Sequence, residues 1–351
     1  MITIGCDFHT RIQQIAMLDP TTGEIIERCL EHENDDVERF YAALPGPARV
    51  GIEATINARW FEKILDRYHH ELWVGDAAEI RAAMVRKQKT DSRDAAHILD
   101  LLLTNRFPRI WMPSPADRDL RQLLRHRHKL VGYRTSVMNQ LHGLAMSQRL
   151  CRKRKLWSQV GRRELEALVL DPWASRRRQE LLQLLDQLNP WIADLDREVQ
   201  KQAEGSPEAT HLMKQPGVGP VTALCFVLTM GPISRFQRSK QVVSYLGLNP
   251  SEESSGGKQR LGSISKQGNS LMRYLLVQAA QTASQSDPEL RRFYQRLKFR
   301  RGHSAVAKVA LARKLAVRLY WKLREAAQPI PPARMQGSSR NPMVDPSPSR
   351  S

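Results

Sequence analysis

Within residues 1–107 the apolar pattern changes period in a fixed order, and that order restricts the fold more than any other feature. Period-two segments at 2–8, 13–18 and 24–30 read as three strands in succession. A helical pattern follows, with Val37, Phe40, Tyr41 and Leu44 on one face. Then come a strand at 49–53, a helix at 58–68, a strand at 71–75, and helices at 78–85 and 92–105. Asp91 is placed to cap the last of these, with Asp94 in its first turn. Strands joined by short turns pair antiparallel, and strands joined by helices pair parallel. The pattern therefore predicts an α/β domain built on one mixed sheet, the layout of RNase H-like folds.

Charge divides the chain at about the same place. Residues 1–107 hold 13 Lys+Arg against 18 Asp+Glu, whereas the rest of the chain holds 42 against 18. An acidic first domain suits cations, and a strongly basic remainder suits a polyanion, nucleic acid above all. Cys6, Cys29, Cys151 and Cys225 are scattered without a CxxC pair, which argues against a zinc knuckle and a disulfide framework. Cys6, Cys29 and Cys225 fall in regular segments and are expected to be buried thiols. The start, MITIGCDF, reads as a strand and not a signal peptide, and no apolar run is long enough for a membrane span. A cytoplasmic, membrane-free protein is the expectation.

Beyond a linker at 107–115 the chain reads as helical. The pattern predicts four regions: a carboxylate domain at 1–107, a basic helical and coiled-coil region at 108–205, a C-terminal domain at 206–327, and a disordered Pro-, Ser- and Arg-rich tail at 328–351. A long helix over 117–147 carries basic residues such as Arg125, and the cluster Arg152, Lys153, Arg154 and Lys155 follows beside Trp157. Cations next to an aromatic ring suit a nucleic-acid backbone and a stacked base. Leu181, Leu185, Leu188, Ile192, Leu195 and Val199 form a heptad seam, fit for a helical hairpin or an oligomer contact, and Pro190 is expected to kink or break it. The segment PGVGPVTA, with Gly217 and Gly219, reads as a turn opening a helix in the manner of a helix-hairpin-helix anion site.

Two groups of residues carry chemistry. Asp7 interrupts an apolar strand, where a carboxylate is costly unless it is paired or binds a metal. Glu53 ends the fourth strand, and Asp91 and Asp94 share one helix face. Four carboxylates brought together repel one another, and hard divalent cations relieve that repulsion. The second group is the stretch 247–273, dense in Ser, Gly and cations. Its Lys258, Arg260, Lys266 and Arg273 could neutralise a phosphodiester, and a serine among them could attack phosphorus.

In these motifs the chain resembles the DEDD-type transposases of the insertion-sequence one-ten family, the bridge-RNA-guided recombinases. The resemblance runs over about residues 1–325 and rests on GCDFHT, GIEAT, KTDSRDAAHI, PGVGPVTA, YLGLNP, SSGGKQRLGSISKQGNSLMR and ARKLA in that order. It implies a RuvC-like N-terminal domain, a coiled coil and a serine-bearing C-terminal domain. It implies that Asp7, Glu53, Asp91 and Asp94 bind magnesium, with manganese as a substitute. It implies that Ser255, preceded by Ser254, is a nucleophile for DNA. It also implies donor and target DNA and a structured bridge RNA as partners. Cutting and rejoining several strands with one serine per chain calls for a homodimer or tetramer, with the heptad seam contributing. Ile56 departs from the family, which often has glycine after the EAT triplet. The competing reading is a RuvC-like junction nuclease, which needs the carboxylates but not Ser255.

Overall fold

A computed structural model describes residues 1–19, 22–55, 58–84, 91–151, 155–252 and 260–327. The chain forms two compact units that divide after Pro113.

In the first unit β1 (Ile2–Phe8), β2 (Ile12–Leu18) and β3 (Ile25–Glu31) make the antiparallel meander expected from their short connections. Helix α1 (Asp36–Ala42) leads to β4 (Ala48–Glu53), and α2 (Arg59–Arg67) leads to β5 (Glu71–Gly75). Both later strands join in parallel, giving one five-stranded sheet in the order β3-β2-β1-β4-β5. The short α3 (Ala77–Ala82) and the longer α4 (Asp91–Leu103) complete the unit. One face of the sheet buries Ile4, Cys6, Ile15, Val50 and Ile52 against Tyr41 of α1 and Phe61 and Leu65 of α2. The other face carries α4, through Ala95, Ile98, Leu99 and Leu101. A mixed sheet with helices on both faces is the RNase H-like arrangement. Helix α3 ends before Val85, which lies outside the described residues along with the rest of 85–90.

Cys29 departs from expectation. It is exposed, because β3 is an edge strand whose residues are mostly in contact with solvent. Cys6 and Cys225 are buried, and Cys151 is exposed.

The second unit is mainly helical. Its long helices α5 (Pro115–Ser147) and α7 (Pro172–Glu204) pack together, with the short α6 (Gln159–Glu166) in their connection. Leu130, Val137, Leu141 and Ala145 of α5 meet Leu182, Leu185, Leu188 and Ile192 of α7. The heptad seam thus closes a hairpin inside the chain, and Leu182 is buried where the pattern had placed Leu181. Pro190 does not break α7. It lies on the exposed side, as does Asp186, so the carbonyl that loses its N–H partner faces water.

The base of the hairpin joins a second core: Leu124, Val199 and Ala203 pack with the C-terminal helices. These are α8 (Pro207–Met213), α9 (Pro220–Met230), α10 (Ser239–Tyr245), α11 (Ser270–Ser286), α12 (Pro288–Arg301) and α13 (Ser304–Ala326). Helices α12 and α13 are separated at Gly302, which takes a left-handed conformation at φ 69°. Between α10 and α11 a small antiparallel hairpin forms from β6 (Pro250–Glu252) and β7 (Leu261–Ile264). The tail at 328–351 lies outside the described residues.

Candidate active site

The local rule that builds the acidic site is the alternation of a strand. Gly5 and Asp7 share one face of β1, and Gly51 and Glu53 share that face of β4. Gly5 pairs with Gly51 in the parallel ladder and with Ala16 of β2 in the antiparallel one. This row of small residues is where α4 lies. A Cβ on Gly5 would stand 2.2 Å from the Ala95 carbonyl oxygen and 2.4 Å from the Leu99 nitrogen, and one on Gly51 would stand 2.7 Å from Leu102 Cδ1. Backbone therefore touches backbone, and the first turn of α4 is carried toward Asp7, two residues along the strand from Gly5.

Asp91 is the first residue of α4 and Asp94 lies in its first turn. Asp7 and Asp91 meet around a residue the sequence reading did not single out, His9. Its Nε2 is 3.1 Å from Asp7 Oδ2 and 3.5 Å from Asp91 Oδ2. One ligand atom from each of the three lies within 4.8 Å of the others. Burial pushes the Asp7 carboxyl up from its ordinary value; His9 opposes this, and the negative charges of Asp94 and Asp91 add to it. Asp7 Oδ2 is shut off from solvent and accepts no hydrogen bond of good geometry among the described residues. A half-buried carboxylate of this kind, with other carboxylates beside it, is a hard-oxygen donor set that fits a divalent cation. His9 could have been found from the sequence, because it stands two positions after Asp7 in GCDFHT.

Glu53 follows Ile52, which is paired with Cys6, so its backbone neighbours that of Asp7. Its side chain is engaged elsewhere: Oε1 accepts from an Arg81 guanidinium nitrogen at 3.1 Å. The structure therefore brings Asp7 and Asp91 together with Asp94 close enough to act on Asp7, and holds Glu53 in an ion pair with α3. Ile56 lies outside the described residues.

The second unit places the other sequence candidates as follows. Arg125 is exposed on α5. Lys155 and Trp157 stand before α6, where Trp157 helps to line a cleft of about 740 Å³ with Arg134 and Arg162. Arg152, Lys153 and Arg154 lie outside the described residues, as do Ser254, Ser255 and Lys258 in the segment between β6 and β7. Gly217, at φ 81°, lets α11 approach: a Cβ there would stand 2.5 Å from the Ala279 carbonyl oxygen. Gly219 precedes α9 with open space around it. Gly247 and Gly268, both at positive φ, clasp the segments after α10 and before α11, since their Cβ positions are taken by Gln267 and Tyr245 backbone oxygens. These glycines in the serine-rich stretch serve contact between chain segments. Arg273 donates to the Leu246 and Gln267 carbonyls and so ties the same clasp. Arg260 and Lys266 are exposed.

Comparison with known proteins places the chain in a family. Residues 4–147 match a DEDD model described as Transposase, and residues 209–295 match the Transposase IS116/IS110/IS902 family. A Sinorhizobium fredii protein named as a transposase is 30% identical over 320 residues, covering 83% of this chain and 80% of its own length. The chain belongs to the IS110 family of DEDD transposases. Within it, similarity extends to a Pseudomonas aeruginosa protein named "Probable family 20 transposase", 29% identical over 91% of this chain and 96% of its own length. The transposase for insertion sequence element IS1328 of Yersinia enterocolitica is 28% identical over 81% of this chain and 85% of its own. This IS110-family chain is accordingly a transposase, an enzyme with DNA as substrate, and its DEDD domain implies use of a divalent metal. No described helix is long and apolar enough to cross a membrane.

Proposed function

We propose that the transposase cuts and rejoins the DNA of an insertion sequence with a divalent cation, magnesium in the first place, held by Asp7, Asp91, Asp94 and Glu53. The observation that carries this reading is the approach of Asp91 to Asp7 across His9, with Asp7 Oδ2 buried and its carboxyl pushed up. These residues would hold the cation, which would supply charge to polarise a phosphodiester and to stabilise its attacking and leaving oxygens. Asp7, fixed on β1, and Asp91 and Asp94, fixed on α4, supply rigid oxygens. Glu53 joins them on release from Arg81, and His9 is positioned to accept or donate a proton beside the phosphate.

Ser255 is the proposed nucleophile. Its oxygen bonds to phosphorus as the bond from phosphorus to a DNA oxygen breaks, and the serine proton passes by way of a base to that oxygen, which leaves as an alcohol. The phosphoserine ester keeps the bond energy, and its reversal by a new DNA hydroxyl rejoins the strand. A structured RNA is the proposed guide to donor and target, gripped by the basic residues of the second unit, in a homodimer or tetramer. Since the seam of α7 is used inside the chain, the oligomer must draw on other surfaces. Support for these points comes from the family membership and the motif around Ser255.

A trapped strand-cleavage reaction analysed by mass spectrometry separates this reading from that of a junction nuclease. DNA attached to Ser255, and lost in Ser255→Ala but not in Ser254→Ala, is the expected result. Strand cutting with no protein–DNA adduct would leave metal-activated water as the nucleophile and remove the serine step.

A further inference from the structure

A cleft of about 510 Å³ opens in the second unit between α5 and the start of α11. Its charged walls come from α5. Arg121, Arg125 and Lys129 stand four residues apart and share one helix face, with His128 beside them. No Asp or Glu lines the cleft among the described residues. The innermost cation is fixed: Arg121 Nε donates to the Leu228 carbonyl near the end of α9 at 3.1 Å, which anchors α5. Arg125 and Lys129 are exposed, so their charges are available to a ligand.

The opposite wall is the N-terminus of α11, a helix of 17 residues. Asn269 caps it, its side chain accepting from the Met272 N–H at 3.2 Å and donating to Thr229 Oγ1 at 3.1 Å. The cap serves the third helical N–H. Ser270 and Leu271 hold the first two helical positions, whose N–H groups have no partner within a helix, and both residues line the cleft. The positive end of the helix dipole thus faces cations from another helix across an acid-free space. Such a space repels positive groups and draws in an anion. The rim is aromatic. Tyr245 lines the cleft and is 39% exposed; Arg235, 5.0 Å from the ring centroid, and Phe236, edge-on at 5.4 Å, hold the ring in place, and its exposed part is what a base can meet. Tyr274 packs at a tilt against His128, with ring centroids 5.1 Å apart. Gly268 permits this assembly, since its φ of 76° and its contact with the Tyr245 carbonyl bring the start of α11 against the end of α10.

We propose that this cleft grips the backbone of a nucleic acid, one phosphodiester resting on the Ser270 and Leu271 N–H groups between Arg125 and Lys129, with the Tyr245 ring receiving a neighbouring base. Among the described residues, none of the Arg152–Lys155 cluster lines the cleft, and its α11 wall is formed by the end of the 247–273 stretch. The inference rests on the reading of the chain as an enzyme of nucleic acids. Phosphodiester is common to DNA and RNA, so the test needs an arm for each.

The experiment measures binding of the full chain to a fluorescent mixed-sequence DNA duplex and to a fluorescent RNA hairpin across a salt series. Arg125→Ala with Lys129→Ala removes two exposed cations. The expected result is a loss of about tenfold or more in one or both arms near 0.1 M salt, with the salt slope on duplex DNA reduced by up to ~1.8. Loss in one arm alone identifies the nucleic acid that occupies the cleft. Ser270→Pro removes one proposed donor at a position where proline suits a helix, after a residue already extended at φ −73° and ψ 109°. It is expected to weaken binding several-fold with the salt slope and thermal melt unchanged. If the double variant binds as the wild type does in both arms, the cleft is not the site, although the transposase reading stands. If Ser270→Pro alone is without effect, the helix terminus does not hold the phosphate. If the wild type binds neither probe at low salt, the wider reading fails and takes this one with it.

Discussion

Gly5 of β1 and Gly51 of β4 are partners in the parallel ladder, and both lie directly under α4. Their missing side chains let the helix rest on the sheet backbone, and that contact fixes where Asp91 and Asp94 stand relative to Asp7. Gly5→Ala would force a Cβ to 2.2 Å from the Ala95 carbonyl oxygen. Overpacking of this kind costs about 1–3 kcal/mol. Chemical denaturation is expected to show that loss, with weaker divalent-cation binding, because the helix must lift. Wild-type stability in this variant would mean that the helix has another way to seat itself.

Asp7→Asn tests the carboxylate itself. Burial and the nearby charges of Asp94 and Asp91 disfavour the ionised form of Asp7, with His9 in opposition. Without metal, the Asn variant is expected to melt no lower than the wild type. With millimolar manganese or magnesium the wild type should gain thermal stability and the variant should not, since a ligand that binds the folded state raises its stability by mass action. Strand cleavage should be lost. Equal metal stabilisation in both proteins would remove Asp7 from the site.

Arg81 competes for Glu53. The ion pair at 3.1 Å is largely exposed, with side chains 71% and 37% accessible, so it contributes about 0–1 kcal/mol. Arg81→Ala frees the carboxylate and is expected to tighten cation binding by no more than about fivefold in a calorimetric titration, given tenfold per 1.4 kcal/mol. Weaker binding would show that Arg81 supports the site and does not oppose it.

In the second unit Asp287 caps α12 and pairs with Arg318 of α13 at 2.5 Å. Burial raises its carboxyl, but the Leu290 N–H and Arg318 outweigh this and hold it below its ordinary value of 3.8. A depressed folded value means that the stabilisation is complete above 3.8 and lost as pH falls through the folded value. Asp287→Asn should cost about 1 kcal/mol near neutral pH, the range of a hydrogen bond to a charged group reduced for solvent exposure. The difference should vanish in acid. A difference that persists below the folded value would point to cap geometry and not to charge.

Much of the first unit was legible because strand period and connection length predict an antiparallel meander followed by parallel strands, whereas the place of β4 beside β1 is set by the packing of the sheet. Asp7 announced itself because a carboxylate in an apolar strand needs a reason. The seat of α4 was not legible, because Gly5, Ala16 and Gly51 are far apart in sequence and meet only through strand pairing. His9 was passed over because its role depends on the distance to Asp91, which only α4 sets. The seam on α7 was visible, but periodicity does not say whether α5 or a second chain covers it. The contacts that demand the glycines at 217, 247 and 268 are between distant segments of the chain, so no local pattern announces them.

Asp7 and Asp91 are the proposed ligands of one divalent cation. Anomalous scattering from crystals equilibrated with manganese tests this assignment directly. The expected result is a peak bonded to an oxygen of each, with Asp94 or Glu53 completing the set and His9 drawn away from Asp7. Saturating manganese with no peak there, and with His9 still between the two carboxylates, would contradict it.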